Sequence, residues 1–189
     1  MTTMPTLDSP VAEAAWSIRP ELPIDLDLIH DLHREAFPTS EMADLVDAVR
    51  SSASFVPTLS LVAVAGDGTI LGHALMSRVE FVRDGEDAAR APVLALGPLA
   101  VLPPHQGRGI GRALLTELLD EADTQPEPFS VVHGAPALFA SFGYRPAADS
   151  GIRGPYPEDD PGFAVRFKPG TDGVGDGTVV YPPGFAKQA

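Results

Sequence analysis

The sequence has no cysteine among its 189 residues. Disulfides, thiolate nucleophiles and cysteine-based metal sites are therefore excluded. No apolar run is long enough to span a bilayer. Residues 1–15 lack a basic stretch ahead of a hydrophobic segment, so they read as a loose, flexible tail and not as a signal peptide. The expected location is cytoplasmic. Positive charge is scarce: 13 Lys and Arg stand against 26 Asp and Glu, giving a net charge of −13. The few cations are scattered, which argues against nucleic acid and anionic membranes as partners. The acidic surface favours solubility and weakly suggests a cationic acceptor such as a polyamine, an aminoglycoside or a lysine side chain. His, Asp and Glu are too dispersed for a metal site. The length suits one folded domain, residues 16–189, behind the tail 1–15.

Periodicity organises the rest. Trp16–Arg19 reads as a short strand. Leu28, Ile29, Leu32 and Ala36 fall on one helical face of Leu26–Phe37, and Pro38 stops that helix. Thr39-Ser40-Glu41 opens a second helix with Leu45, Val46 and Val49 as its stripe. Thr58–Ala65 and Thr69–Phe81 alternate as strands across a Gly66-Asp67-Gly68 turn. Arg83–Ala91 is a charged loop. Val93–Leu102 is an apolar strand, Gly107–Ala122 a helix and Phe129–Val132 a buried strand. Pro136–Ser141 is a short helix with proline at its favoured first position. Tyr144–Pro146 and Gly162–Phe167 are closing strands around a Gly/Pro/Asp-rich loop, Ala147–Pro161. Thr178–Tyr181 is a last strand, free to close the sheet or to pair across a dimer. This order predicts an α/β fold with a mixed sheet.

The most telling stretch is His105-Gln-Gly-Arg-Gly-Ile-Gly-Arg112. It follows a strand and opens a helix, where free backbone N–H groups and the helix dipole hold anions. Gly109 and Gly111 leave room for a ligand, and Arg108 and Arg112 add cations. The spacing fits neither a dinucleotide loop, since residue 112 is arginine, nor a Walker loop, since Gly-Lys-Ser/Thr is absent. Just upstream, Gly97-Pro98 interrupts an apolar strand. A proline there implies a β-bulge, which frees strand groups for an extended ligand. A pyrophosphate at Gln106–Arg112 and an amide-bearing arm along Leu99–Val101 together fit coenzyme A.

Gln106-x-x-Gly109-x-Gly111 after this strand resembles the pyrophosphate signature of the GNAT superfamily of acyl-CoA N-acyltransferases. Glu41-x-x-x-Leu45-Val46, Gly72-His73, Gly97–Val101, Pro136–Tyr144 and Tyr181-Pro182-Pro183-x-Phe185 extend the resemblance to the YhbS-like bacterial acetyltransferases. The resemblance implies a GNAT fold: a mixed twisted sheet with a β-bulge in the fourth strand, flanked by helices. It implies acetyl-CoA as cosubstrate and a small-molecule or protein amine as acceptor; the sequence leaves monomer and homodimer both open, and no metal is expected. The backbone of Leu99, Ala100 and Val101 would hold the pantetheine arm. Gln106, Gly107, Arg108, Gly109, Ile110, Gly111 and Arg112 would hold the pyrophosphate, and Phe139 would pack on the arm.

Direct attack of an amine on the thioester in a ternary complex needs a base, an oxyanion donor and a proton for the leaving thiolate. A strand N–H near Leu99 or Ala100 suits the oxyanion. Many relatives carry tyrosines in the helix after the fifth strand, where this chain has Leu138 and Phe139. Tyr144 and Ser141 are the nearby replacements. His133, ending the fifth strand, is a candidate base or acid. Glu41, His73 and Glu80 are further candidate bases, Glu41 being a first-turn helix carboxylate. His30 and His33 are expected on a helix surface, and His105 beside the phosphate loop. The missing tyrosines leave an alternative open: a non-catalytic module that binds CoA or acetyl-CoA for regulation. A different phosphate-ligand protein, such as a nucleotide binder, is the other rival.

Overall fold

The structure, a computed structural model, describes residues 16–85, 88–171, 173–183 and 185. The expected tail 1–15 lies outside the described residues. In chain order the elements are β1 (Trp16–Pro20), α1 (Leu26–Ala36), α2 (Glu41–Arg50), β2 (Phe55–Ala65), β3 (Ile70–Arg83), β4 (Arg90–Val101), α3 (Ile110–Thr124), β5 (Phe129–His133) and α4 (Pro136–Ala140). β6 (Arg145–Pro146), β7 (Ile152–Arg153), β8 (Phe163–Phe167) and β9 (Gly177–Val180) complete it. The sheet order is β1-β2-β3-β4-β5-β8-β6. β4 and β5 run parallel, while the other pairs along that path are antiparallel. β9 lies within the chain's own sheet, pairing β3 at Glu80–Arg83, and β7 pairs it in parallel.

Several expectations change. Leu28 faces solvent, and α1 is held instead by Ile29, Leu32 and His33. α3 starts at Ile110 and not at Gly107, because Gly107 and Gly109 take φ of +73° and +82°, outside the right-handed helical range. The segment Ala147–Pro161 is not loop throughout: it holds a 3-10 turn at Ala147–Ser150 and then β7. α3 sits close on the sheet because Gly72 has no side chain. A Cβ there would lie 2.9 Å from a Leu114 methyl and 3.2 Å from an Ile110 methyl.

β4 carries the irregularity that matters. Against β3, Leu96 pairs with Met76 and Leu99 with Ala74, so Gly97 and Pro98 together oppose Leu75. This is the expected bulge, with Gly97 at φ +136° and a cis bond to Pro98. The extra residue shifts side-chain parity. Leu94, Leu96, Leu99 and Val101 all pack with the α3 cluster, whereas unbroken alternation would turn Leu99 to the other face. Ala100 falls to the α1–α2 cluster, and Val93 and Ala95 to a third cluster under Tyr156 and Tyr181.

A buried polar chain ties α1 and α2 to the sheet. Arg50 grips Glu21 with two bonds of 2.8 Å, and Ser60 Oγ donates to Glu21 Oε2 at 2.6 Å. His73 Nε2–H must then donate to Ser60 Oγ (2.9 Å), and His33 Nε2–H to His73 Nδ1 (2.9 Å). This leaves His33 Nδ1 buried without a partner. His33 is therefore a core residue and not a surface one, stacked on Phe37. Burial pushes the Glu21 carboxyl up, but hydrogen bonds from His73, Arg50 and Ser60, with the Arg50 charge, outweigh it and hold it at about 2. Burial, reinforced by His73 and Arg50, lowers His33 to about 2.

Both groups bind protons more readily in the unfolded chain, from their ordinary values of 6.5 for His33 and 4.5 for Glu21 downward. Their contribution to stability is complete above pH 6.5 and is lost progressively as the pH falls toward 2. Urea midpoints should therefore drop between about pH 7 and about pH 5, and a higher midpoint at the lower pH would contradict this. Glu21→Ala, which strands Arg50, should cost ~3–5 kcal/mol at neutral pH.

Candidate active site

The β4–β5 ladder spans only Leu94–Leu96 against Ser130–Val132. Beyond it the two strands part, β4 following β3 and β5 following β8. Leu102 N–H donates to the Leu71 carbonyl (2.9 Å), and alternation then points the Ala100 groups at β3 as well. The backbone groups of Leu99 and Val101 face the gap. Ala100 is thus not a ligand-facing residue: its side chain is buried and its backbone groups face β3. Val101's carbonyl is already taken by Gln106 Nε2 at 3.0 Å, which leaves its N–H. Gln106 therefore fastens the phosphate loop to β4.

At the loop's end, Ala113 N–H is the first to bond back, to the Gly109 carbonyl. The N–H groups of Ile110, Gly111 and Arg112 have no intrahelical acceptor. No atom lies within 4 Å of where a Cβ would stand on Gly107 or Gly109, and at Gly111 the nearest is Val101 Cγ2 at 3.5 Å. This open, positively polarised cradle fits a pyrophosphate. The Ile110 side chain is buried against the sheet, so only its backbone reaches the cradle. Arg112 bonds Ser141 Oγ (3.2 Å) and lies 4.9 Å over the Phe142 ring, joining α3 to α4. Arg108 is exposed and makes no ion pair with a described residue.

A cavity of about 480 Å³ opens where the strands separate, between Gly97–Leu99, Val132–Ala135, α4 and α2. Phe139 lines it from α4, and Tyr156, Tyr181 and Phe185 from the opposite side. His133 lines it too. Its Nε2 faces Asp160 Oδ2 at 3.0 Å, and its ring stacks on Tyr156 at 4.1 Å with planes 4° apart. Gly162 N–H holds the other Asp160 oxygen at 2.8 Å. That backbone bond, then the bond from His133, keeps the Asp160 carboxyl below its usual range. With Nε2–H given to Asp160, Nδ1 is the ring's free acceptor. The Tyr156 and Tyr181 rings meet edge to face, centroids 6.5 Å apart, and burial raises both hydroxyls above the ordinary tyrosine value.

The other candidates stand elsewhere. Tyr144 is buried in the core with its hydroxyl 2.7 Å from Ser130 Oγ, and burial raises it further, so it cannot serve the cavity. Glu41 is exposed on the first turn of α2, while Met42, Leu45 and Val49 of that helix line the cavity. His73 belongs to the buried polar chain, and Glu80 pairs with Arg90 in the open. Asp160 and Tyr156 were missed by sequence reasoning. The available signal was Asp160-Pro161-Gly162, a side-chain-to-backbone turn that presents a carboxylate.

Residues 26–144 match the acetyltransferase (GNAT) family. The chain belongs to that family. It is 34% identical to the uncharacterized N-acetyltransferase YhbS of Escherichia coli K12 over 149 residues, which is 79% of this chain and 85% of that protein. A second Escherichia coli K12 relative, the uncharacterized N-acetyltransferase YjhQ, is 34% identical over 135 residues, 70% of this chain and 72% of that one. Among solved structures, the Escherichia coli YhbS acetyltransferase in complex with CoA superposes with a TM-score of 0.81 at 28% identity, covering 100% of this chain and 98% of that one. A Brucella melitensis GNAT acetyltransferase in complex with acetyl-CoA gives 0.72 at 27% identity, covering 91% and 99%. The chain is an N-acetyltransferase by family, built on a GNAT fold. Among the described residues, no helix is long and apolar enough to cross a membrane.

Tyr144→Phe separates a core role from a catalytic one. It should lower the unfolding free energy by about 1 kcal/mol through the lost bond to Ser130 and leave acetyl transfer unchanged. A loss of kcat without a loss of stability would return Tyr144 to the active site.

Proposed function

We propose that this chain transfers an acetyl group from acetyl-CoA to a primary amine by direct attack in a ternary complex. The observation that carries the reading is the pairing of His133 with Asp160 on a cavity that adjoins the parted strands. The pyrophosphate would rest on the N–H groups of Ile110, Gly111 and Arg112, with Arg108 as a mobile counter-charge. The pantetheine arm would lie along Leu99 and Val101, against Phe139.

His133 Nδ1 takes a proton from the attacking amine, and Asp160 orients the ring and stabilises its charged form. The nitrogen then bonds to the thioester carbon. The outward N–H of Leu99 is placed to receive the negative charge gathering on the carbonyl oxygen. As the carbon–sulfur bond breaks, the Tyr156 hydroxyl gives its proton to sulfur, and the proton held by His133, whose ring stacks on Tyr156, then passes to the phenolate and restores both groups. Because Tyr156 lines the cavity and stacks on His133, the absence of tyrosine at Leu138 and Phe139 does not leave the reaction without an acid. This is what favours an enzyme over a regulatory CoA-binding module.

Gly111→Trp should abolish acetyl-CoA binding in calorimetry by filling the space beside Val101, with an unchanged circular dichroism spectrum. Undiminished affinity would overturn the placement of the cofactor. His133→Ala should reduce kcat by ~10²-fold or more, as loss of a general base does. Asp160→Asn should show a smaller loss of the same kind. A His133→Ala enzyme with a wild-type kcat would exclude His133 as the base.

A further inference from the structure

The wall of the cavity remote from α3 bears on the acceptor, and the inference rests on the acetyltransferase reading above. We propose that the acceptor is a small primary amine carrying one positive charge on an apolar body, aromatic or alkyl. On that side the cavity is bounded by Met42 and Leu45 of α2 and by Tyr156, Tyr181 and Phe185. No carboxylate lines it among the described residues. Asp160 stands behind His133 with both oxygens engaged, one by His133 and one by Gly162 N–H.

This lining discriminates by charge count. A single ammonium gives one proton to solvent as it enters and meets His133 as the neutral nucleophile, whose second proton His133 takes on attack. A second ammonium, as in a polyamine or an aminoglycoside, would sit against Met42, Leu45 or Phe185 with no anion to offset its lost hydration. An apolar body gains from the same wall, since His133 and Tyr156 stack parallel and present a flat aromatic surface beside the reacting nitrogen. The chain's net charge of −13 attracts any cation at long range, but among the described residues none of its acidic side chains lines the cavity. The sequence-level hint of a polycation thus applies to approach and not to the cavity.

Initial rates of thiol release from acetyl-CoA test the inference on the full chain. The panel is phenethylamine, tryptamine and hexylamine against spermidine, kanamycin and a lysine-containing tetrapeptide. The best apolar monoamine should exceed the best of the second group in kcat/KM by ~10-fold or more, the scale of discrimination an apolar pocket provides. Leu45→Glu, which adds a carboxylate to the wall, should shift the tryptamine-to-spermidine ratio toward spermidine by a similar ~10-fold. Equal or better transfer to spermidine, kanamycin or the peptide overturns the inference and leaves the acetyltransferase reading intact, as does a ratio unmoved by Leu45→Glu. Calorimetry with acetyl-CoA distinguishes the deeper failure: no binding and no transfer to any amine overturns both.

Discussion

The structure depends on β4 remaining bonded to β3 after it has left β5. The parallel ladder ends at Leu96 and Val132, while the antiparallel ladder continues to Val101. Gly97 and Pro98 make both possible. The bulge turns Leu99 and Val101 back toward α3, so the strand stays anchored on that face while its outward backbone groups are left to the gap. A regular strand would turn Leu99 to the other face, and an earlier strand end would leave no peptide groups for an extended ligand.

The gap persists because three separate apolar clusters meet around it. One lies under α3 and α4, one under α1 and α2, and one beneath Tyr156 and Tyr181. Each cluster holds one wall. The α1–α2 wall is further fixed by the chain from Arg50 through Glu21, Ser60 and His73 to His33. Removing one partner there would leave a buried polar or charged group unpaired, so the network specifies one position for α2. The cavity wall formed by Met42 and Leu45 inherits that position. In the same way, Gly72 sets how closely α3 approaches β3, and hence where the phosphate cradle stands relative to Val101.

What was legible in the sequence was local. The proline inside an apolar strand and the glycine spacing after it impose backbone geometry within a few residues, so the bulge, the cradle and most elements could be read directly. The bounds of α3 erred by one turn because left-handed Gly107 and Gly109 are invisible to apolar periodicity. Features set by distant partners were not legible. His33 looked like a surface group because its partner, His73, is 40 residues away. The carboxylate that orients His133 is 27 residues away, in a segment whose composition suggests only loop. Tyr144 had the right chemistry and the wrong environment, since nothing local announced that Ser130 would hold its hydroxyl in the core.

The central claim is that the outward edge of β4 and the N-terminus of α3 form one continuous ligand site. Amide hydrogen exchange with and without CoA tests it most directly. The account predicts marked slowing at Leu99, Val101, Ile110, Gly111 and Arg112, and little change at Ala100, whose N–H already faces β3. Saturating CoA that slows none of these amides, or slows only those of α3, would contradict it.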